Sequence, residues 1–178
     1  MNLIPSQKII VIGPLLSNFW DNIQKDNSNI ERNKNRIVIM SRLEREKDIQ
    51  TAFQAIKNVL QRKKFLELEV IVLGAGTERV FLENYAKSIG IGKNISFRGW
   101  INAPWELLQS SQVFLQTSFY EGFGMSLVEA YMYGCFVVST DVGIASELIN
   151  IPRDGQICSV QNVECLTGGI IKAMDESP

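Results

Sequence analysis

Histidine is absent from the 178 residues, and with it go the commonest general base, imidazole metal sites and any Ser-His or Cys-His nucleophile pair. Cysteine is sparse. Cys135, Cys158 and Cys165 are an odd set with no C-x-x-C spacing, which argues against a disulfide framework or a zinc site and fits a reducing cytosol. Long apolar runs are missing too: none approaches the ~18 residues of a membrane span. Ile9-Ile10-Val11-Ile12 follows Lys8 as a signal-peptide core would, but no small-residue cleavage pattern comes after it. Charge of either sign is not in excess, with 18 Lys and Arg against 19 Asp and Glu. No overall basic field therefore favours nucleic acid or an anionic membrane, and any anion site must be local. There is no G-x-x-x-x-G-K-[ST] loop, and Gly74-Ala75-Gly76 lacks the third glycine of a dinucleotide fingerprint because Arg79 stands there. Chemistry on this chain must rest on carboxylates, lysine, arginine and backbone dipoles, with no metal or organic cofactor expected.

What is present is an ordinary globular balance, 46% hydrophobic and 21% charged, in a length that suits one domain with a sizeable core. Residues 21–35 are almost wholly polar and read as a linker or exposed loop, so the chain divides into an N-terminal segment, 1–35, and a domain, 36–178. Within 3–20 the more apolar sequence suggests an added strand or a segment lying against the domain. From Arg36-Ile37-Val38-Ile39-Met40 onward, short β-branched runs alternate with helical spacing. Strands are expected at 36–40, 70–73, 95–97, 113–115, 135–138 and near Ile157. Helices are expected at 49–60, 80–89, from Pro104, at 125–133, at 145–149 and at 163–174. Apolar strands alternating with helices predict an α/β fold, a Rossmann-like three-layer sandwich around a parallel sheet.

The most informative segment is Glu121-Gly122-Phe123-Gly124-Met125-Ser126-Leu127-Val128-Glu129. It places one carboxylate on a glycine turn after a strand and another one helical turn further on. A helix start leaves N–H groups unpartnered and carries partial positive charge, so anions bind there. Two carboxylates flanking an anion site suit hydroxyls on both sides of a phosphate, as in a sugar nucleotide. Each Glu alone is more often a residue stabilised by the helix dipole, and the Ser41-Arg42-Leu43-Glu44-Arg45-Glu46-Lys47 stretch alone is more often a solvated loop. In a parallel sheet, however, both lie on the carboxyl edge, where ligands bind. Arg42 and Lys47 are then placed to reach one diphosphate.

These segments resemble, in order, the nucleotide-binding C-terminal domain of retaining GT-B glycosyltransferases, in particular glycosyltransferase family 4. The resemblance covers about 36–149. It comprises Ser41-Arg42-Leu43 with Lys47, Val72-Leu73-Gly74-Ala75-Gly76, Ile95-Ser96-Phe97-Arg98-Gly99, Ser118-Phe119-Tyr120-Glu121-Gly122-Phe123-Gly124, Val128-Glu129-Ala130, Gly134 with Val137-Val138, and Asp141-Val142-Gly143 with Glu147. It implies that Arg42 and Lys47 clamp the diphosphate of a UDP- or GDP-sugar, that Glu121 faces the sugar and that Glu129 holds the ribose. Amides from Phe123 through Gly124, Met125 and Ser126 to Leu127 would face the phosphates and sugar, and Arg98, Gly99 and Trp100 would border the base. Catalysis would then rest on Glu121, Arg42 and Lys47 by positioning and electrostatics, without a metal.

The family often has glycine where Ser41 and Ile144 stand, and its usual ending is replaced by Asp154-Gly155-Gln156-Ile157-Cys158-Ser159-Val160. A full GT-B enzyme also has an N-terminal acceptor-binding domain. The expectation is therefore a donor-binding half, cytoplasmic or at the inner membrane face through the full-length enzyme, which binds donor but does not turn over alone. A non-catalytic nucleotide-sugar module and an epimerase-like domain are the alternatives.

Overall fold

Six parallel strands form the sheet of the computed structural model, in the order β3-β2-β1-β4-β5-β6. The structure describes residues 31–175 except 63, 64 and 66; the expectations for 1–30 lie outside the described residues. In chain order the strands are β1 (Asn33–Met40), β2 (Glu69–Leu73), β3 (Ile95–Gly99), β4 (Ser111–Gln116), β5 (Phe136–Thr140) and β6 (Gly155–Cys158). The helices are α1 (Ile49–Leu60), α2 (Arg79–Ser88), α3 (Trp105–Gln109), α4 (Met125–Met132), α5 (Ala145–Leu148) and α6 (Val163–Asp175). Every element expected from 36 onward is present, within about three residues at its ends.

Alternation along β1 builds both layers. Ile37 and Ile39 pack with Phe53, Ile56 and Val59 of α1 and with Leu166 and Ile170 of α6. Val38 points the other way, into a cluster with Leu108 of α3, Leu127 and Ala130 of α4 and Ala145 of α5. Such a fully buried aliphatic or aromatic side chain contributes roughly 1.5–3 kcal/mol, and these faces close the sheet on both sides.

β1 begins three residues before its apolar run. Asn33 pairs in register with Ser111 of β4, and Arg32 donates to the carbonyls of Ser111 (2.6 Å) and Tyr133 (2.9 Å). Those polar residues, read as part of a loop, are instead held by hydrogen bonds at the end of the sheet.

One expectation is corrected outright. Cys158 and Cys165 are joined in a disulfide, whereas the cysteine pattern argued against bridges. Residues 159–162 reverse the chain between β6 and α6, bringing the two Cα atoms to 5.8 Å; no short cysteine spacing signals that closeness. Cys135 is free and buried, and burial pushes its thiol up to about 12.

Packing against the β1 turn requires glycine at Gly74 and Gly76. A Cβ on Gly74, whose φ is +127°, would lie 1.8 Å from the Ser41 carbonyl oxygen, and one on Gly76 would lie 2.2 Å from that of Leu43. The β2–α2 turn therefore lies directly against the turn after β1. Leu43 N–H donates to the Ala75 carbonyl (2.9 Å), and Glu78 N–H to that of Leu43 (2.9 Å).

Candidate functional site

β1 leads away to β2 on one side of the sheet, while β4, beside it, leads to β5 on the other. Loops after these two central strands consequently diverge and leave a crevice at the carboxyl edge, the usual ligand position in such sheets. A cavity of about 350 Å³ occupies it. Arg42 and Lys47 reach it from the β1 loop, Glu121 from the β4 loop, and Met125, Ser126 and Glu129 from α4. Trp100, Ile101, Asn102 and Trp105 form another wall, and Met40, Ser41, Leu73 and Gly74 also line the cavity.

The β1 loop is anchored before it reaches the cavity. Phe119 N–H donates to the Glu46 carbonyl (2.9 Å), and Thr117 Oγ1 donates to the carbonyls of Lys47 (3.1 Å) and Asp48 (2.9 Å). Lys47 Nζ thereby meets both Glu121 oxygens, at 2.8 and 2.9 Å. Both side chains are largely buried, 11% and 13% exposed, and a pair that far from water is screened less than a surface one. Arg42 is 68% exposed and donates to Glu46 Oε1 at 2.7 Å. The two cations share a cavity, each with a carboxylate as its present partner.

Glu129 differs. It is half-buried, desolvation holds its carboxyl above the ordinary carboxylate value, and no described side chain pairs with it. A desolvated carboxylate without a partner is costly to keep, and its cavity position makes hydroxyl donors suitable partners.

Six expected residues do not line the cavity, among them Arg98, which is exposed on β3. Gly124 takes the left-handed conformation at the start of α4, and Gly122 is exposed beside it. The Phe123 carbonyl accepts the Ile144 N–H at 2.9 Å. Leu127 is fully buried, and its amide donates to the Gly124 carbonyl at 3.0 Å. The Gly99 carbonyl accepts from Gly74 N–H at 2.7 Å. Ile144, which replaces a common family glycine, has φ −89° and packs into the core, so the departure leaves the turn intact.

Asn102 and Trp105 were missed. Trp100 is 76% exposed and donates its indole N–H to Asn102 Oδ1 at 2.9 Å, while Trp105 stacks on Tyr133, with centroids 5.7 Å apart. Two of the chain's three tryptophans fall within six residues of each other, a signal that could have found this wall. Among the described residues no group of three or more His, Cys, Asp or Glu is placed to hold a metal ion, and no helix is long and apolar enough to cross a membrane.

The Rossmann-like sheet thus brings two cations and two carboxylates together at its switch point. Residues 21–178 match the family model for glycosyl transferases group 1, and the chain belongs to that family. It is 30% identical over 151 residues to poly(glycerol-phosphate) alpha-glucosyltransferase of Bacillus subtilis, covering 84% of this chain and 22% of that protein. It is 31% identical over 124 residues to D-inositol 3-phosphate glycosyltransferase of Paenarthrobacter aurescens, covering 67% and 30%. Among solved structures, Staphylococcus aureus TarM with UDP superposes with a TM-score of 0.77 at 20% identity, covering 84% of this chain and 30% of that one. The pneumococcal O-GlcNAc transferase GtfA with UDP and GlcNAc gives 0.74 at 23%, again covering 84% and 30%. The fold is thus that of a Rossmann-like half of a GT-B glycosyltransferase. The chain spans between 22% and 37% of the length of these curated relatives and of an archaeal glycosyltransferase, from Methanocaldococcus jannaschii, that it also matches.

Proposed function

We propose that this chain is the donor-binding half of a retaining hexosyltransferase that moves sugar from a nucleoside-diphosphate sugar to an acceptor. The observation that carries the reading is the cavity bringing Arg42, Lys47, Glu121 and Glu129 together at the switch point. Arg42 and Lys47 hold the diphosphate and stabilise it as it leaves, each through charge-assisted hydrogen bonds of about 1.5–3 kcal/mol. Glu129 accepts from the ribose, Glu121 accepts from the sugar, and the wall at Trp100 borders the base. Lys47 exchanges its Glu121 partner for phosphate oxygens when donor enters.

UDP is favoured as the nucleotide because solved structures of similar fold contain it. The acceptor, and any membrane contact, belong to a further acceptor-binding domain or partner chain, in keeping with the small share of the relatives' length covered here. Alone, the chain binds donor and transfers little.

Calorimetric titration with UDP- and GDP-sugars tests this. Lys47→Ala and Glu129→Ala are each expected to weaken binding of the preferred donor by about tenfold or more. Unchanged affinity in both variants removes the assignment.

A further inference from the structure

We propose that Ser118 is a positioning residue for Glu121, deciding which carboxylate oxygen is left to receive a hydroxyl of the donor sugar; the inference rests on the donor-binding reading above. Glu121 Oε1 accepts from Ser118 Oγ at 2.6 Å and from Lys47 Nζ at 2.8 Å, whereas Oε2 accepts only from Lys47, at 2.9 Å, among the described residues. The two oxygens are therefore unequal.

Ser118 is itself fixed. It is 1% exposed, just beyond β4, and its carbonyl accepts from the buried Thr140 Oγ1, at the end of β5, at 2.7 Å. Ser118 does not line the cavity, so it meets Glu121 from behind and has no place against a bound nucleotide. Behind the Glu121 stem, Gly143 leaves only enough room for its own hydrogen: a Cβ there would lie 3.2 Å from Glu121 Cβ and 2.4 Å from the Phe123 carbonyl oxygen. The carboxylate is confined on that side by packing and on the Oε1 side by a short hydrogen bond.

A diphosphate arriving in the cavity competes for Lys47. As the lysine turns to phosphate, Oε2 loses its partner, while Oε1 keeps Ser118. A carboxylate stripped of both bonds would rotate freely and lose the orientation that a sugar hydroxyl needs. Ser118 removes that freedom, so Oε2 is presented in one direction, and its effect reaches the sugar without touching the nucleotide.

The 178-residue chain and its Ser118→Ala variant should be titrated with UDP, GDP and a panel of their sugar conjugates, including UDP-glucose, UDP-galactose, UDP-N-acetylglucosamine and GDP-mannose. The free nucleotide is expected to bind the variant within about twofold of wild type, while the affinity gained from the preferred sugar falls roughly tenfold, as for a lost hydrogen bond to a charged group. A variant that keeps the sugar's gain overturns the positioning role. So does one that loses free nucleotide and sugar nucleotide equally, since that is structural damage, and so does a wild type that gains nothing from any sugar. Failure of wild type to bind either nucleotide or any conjugate overturns the donor-binding reading itself, and is seen before the variant enters.

Discussion

The Glu129 carboxyl is half-buried on α4, raised above its ordinary value by desolvation. Its proton is therefore held more tightly in the folded chain than in the unfolded one, and the sign of the consequence follows by linkage. The stability associated with this group is fully present below the ordinary carboxylate value and is lost as pH rises through the raised folded value. Donor affinity runs the other way, because only the ionised carboxylate is a full acceptor for ribose hydroxyls. Glu129→Gln, which resembles the protonated form, should raise the melting temperature at pH 7.5 by roughly 2–4 °C, corresponding to about 1 kcal/mol in a domain of this size. Near pH 4 the two melting temperatures should converge. Donor binding by wild type should rise between pH 5 and 7.5, whereas the variant's remains weak and nearly flat. Thermal melts and titrations at both pH values check this, and a stability difference independent of pH would show that the carboxylate's desolvation is not its cause.

At the level of elements, the site depends on turns packed against one another with no space between backbones. Gly143 lies against the Phe123 carbonyl with φ +58°, and Gly143→Ala meets both that strain and the clash. It should cost about 2 kcal/mol or more, lower the melting temperature by roughly 4–8 °C, and reduce donor affinity by displacing Glu121. Gly168, with no heavy atom near a Cβ added there, is the contrast: Gly168→Ala in α6 should be neutral or stabilising by about 0.5–1 kcal/mol. Comparable losses at both positions would mean that the melts do not report turn packing.

Much of this level was legible in the sequence, because β-branched runs and helical spacing alternate without interruption from Ile37 onward. The parallel sheet then put Arg42, Lys47, Glu121 and Glu129 on one edge. Three things were not legible, each for a physical reason. Asn33, Lys34 and Asn35 extend β1, with Asn33 paired to Ser111 and the Asn35 N–H donating to Asn33 Oδ1, an extension that polar side chains conceal. Cys158 and Cys165 meet only because the β6–α6 reversal brings them together. The Leu127 amide donates to the Gly124 carbonyl, a choice set by how α4 begins rather than by residue type.

For the whole molecule, the decisive fact is that the cavity sits where the two halves of the sheet meet. The β2 and β3 side contributes Leu73, Gly74, Trp100 and Asn102, the β4 and β5 side contributes Glu121, Ser126 and Glu129, and β1 joins them with Arg42 and Lys47. A ligand bound there bridges groups from both halves, so its binding energy should stabilise the domain as one unit. At a free donor concentration one hundred times Kd, linkage gives about 2.7 kcal/mol, or roughly 5–10 °C for a domain of this size. Calorimetry should show a single transition moving upward by that amount, with no shoulder left behind. Hydrogen exchange should slow most in the loops at 41–47, 100–102 and 121–126, which border the cavity, and in α1 and α6, across the sheet, only as far as global unfolding limits exchange. In a Lys47→Ala, Glu129→Ala double variant both responses should vanish at the same donor concentration. A bound donor that protected only one side of the sheet, or split the transition in two, would mean that the ligand does not span β1 and β4, and the cavity would lose its claim to be the site.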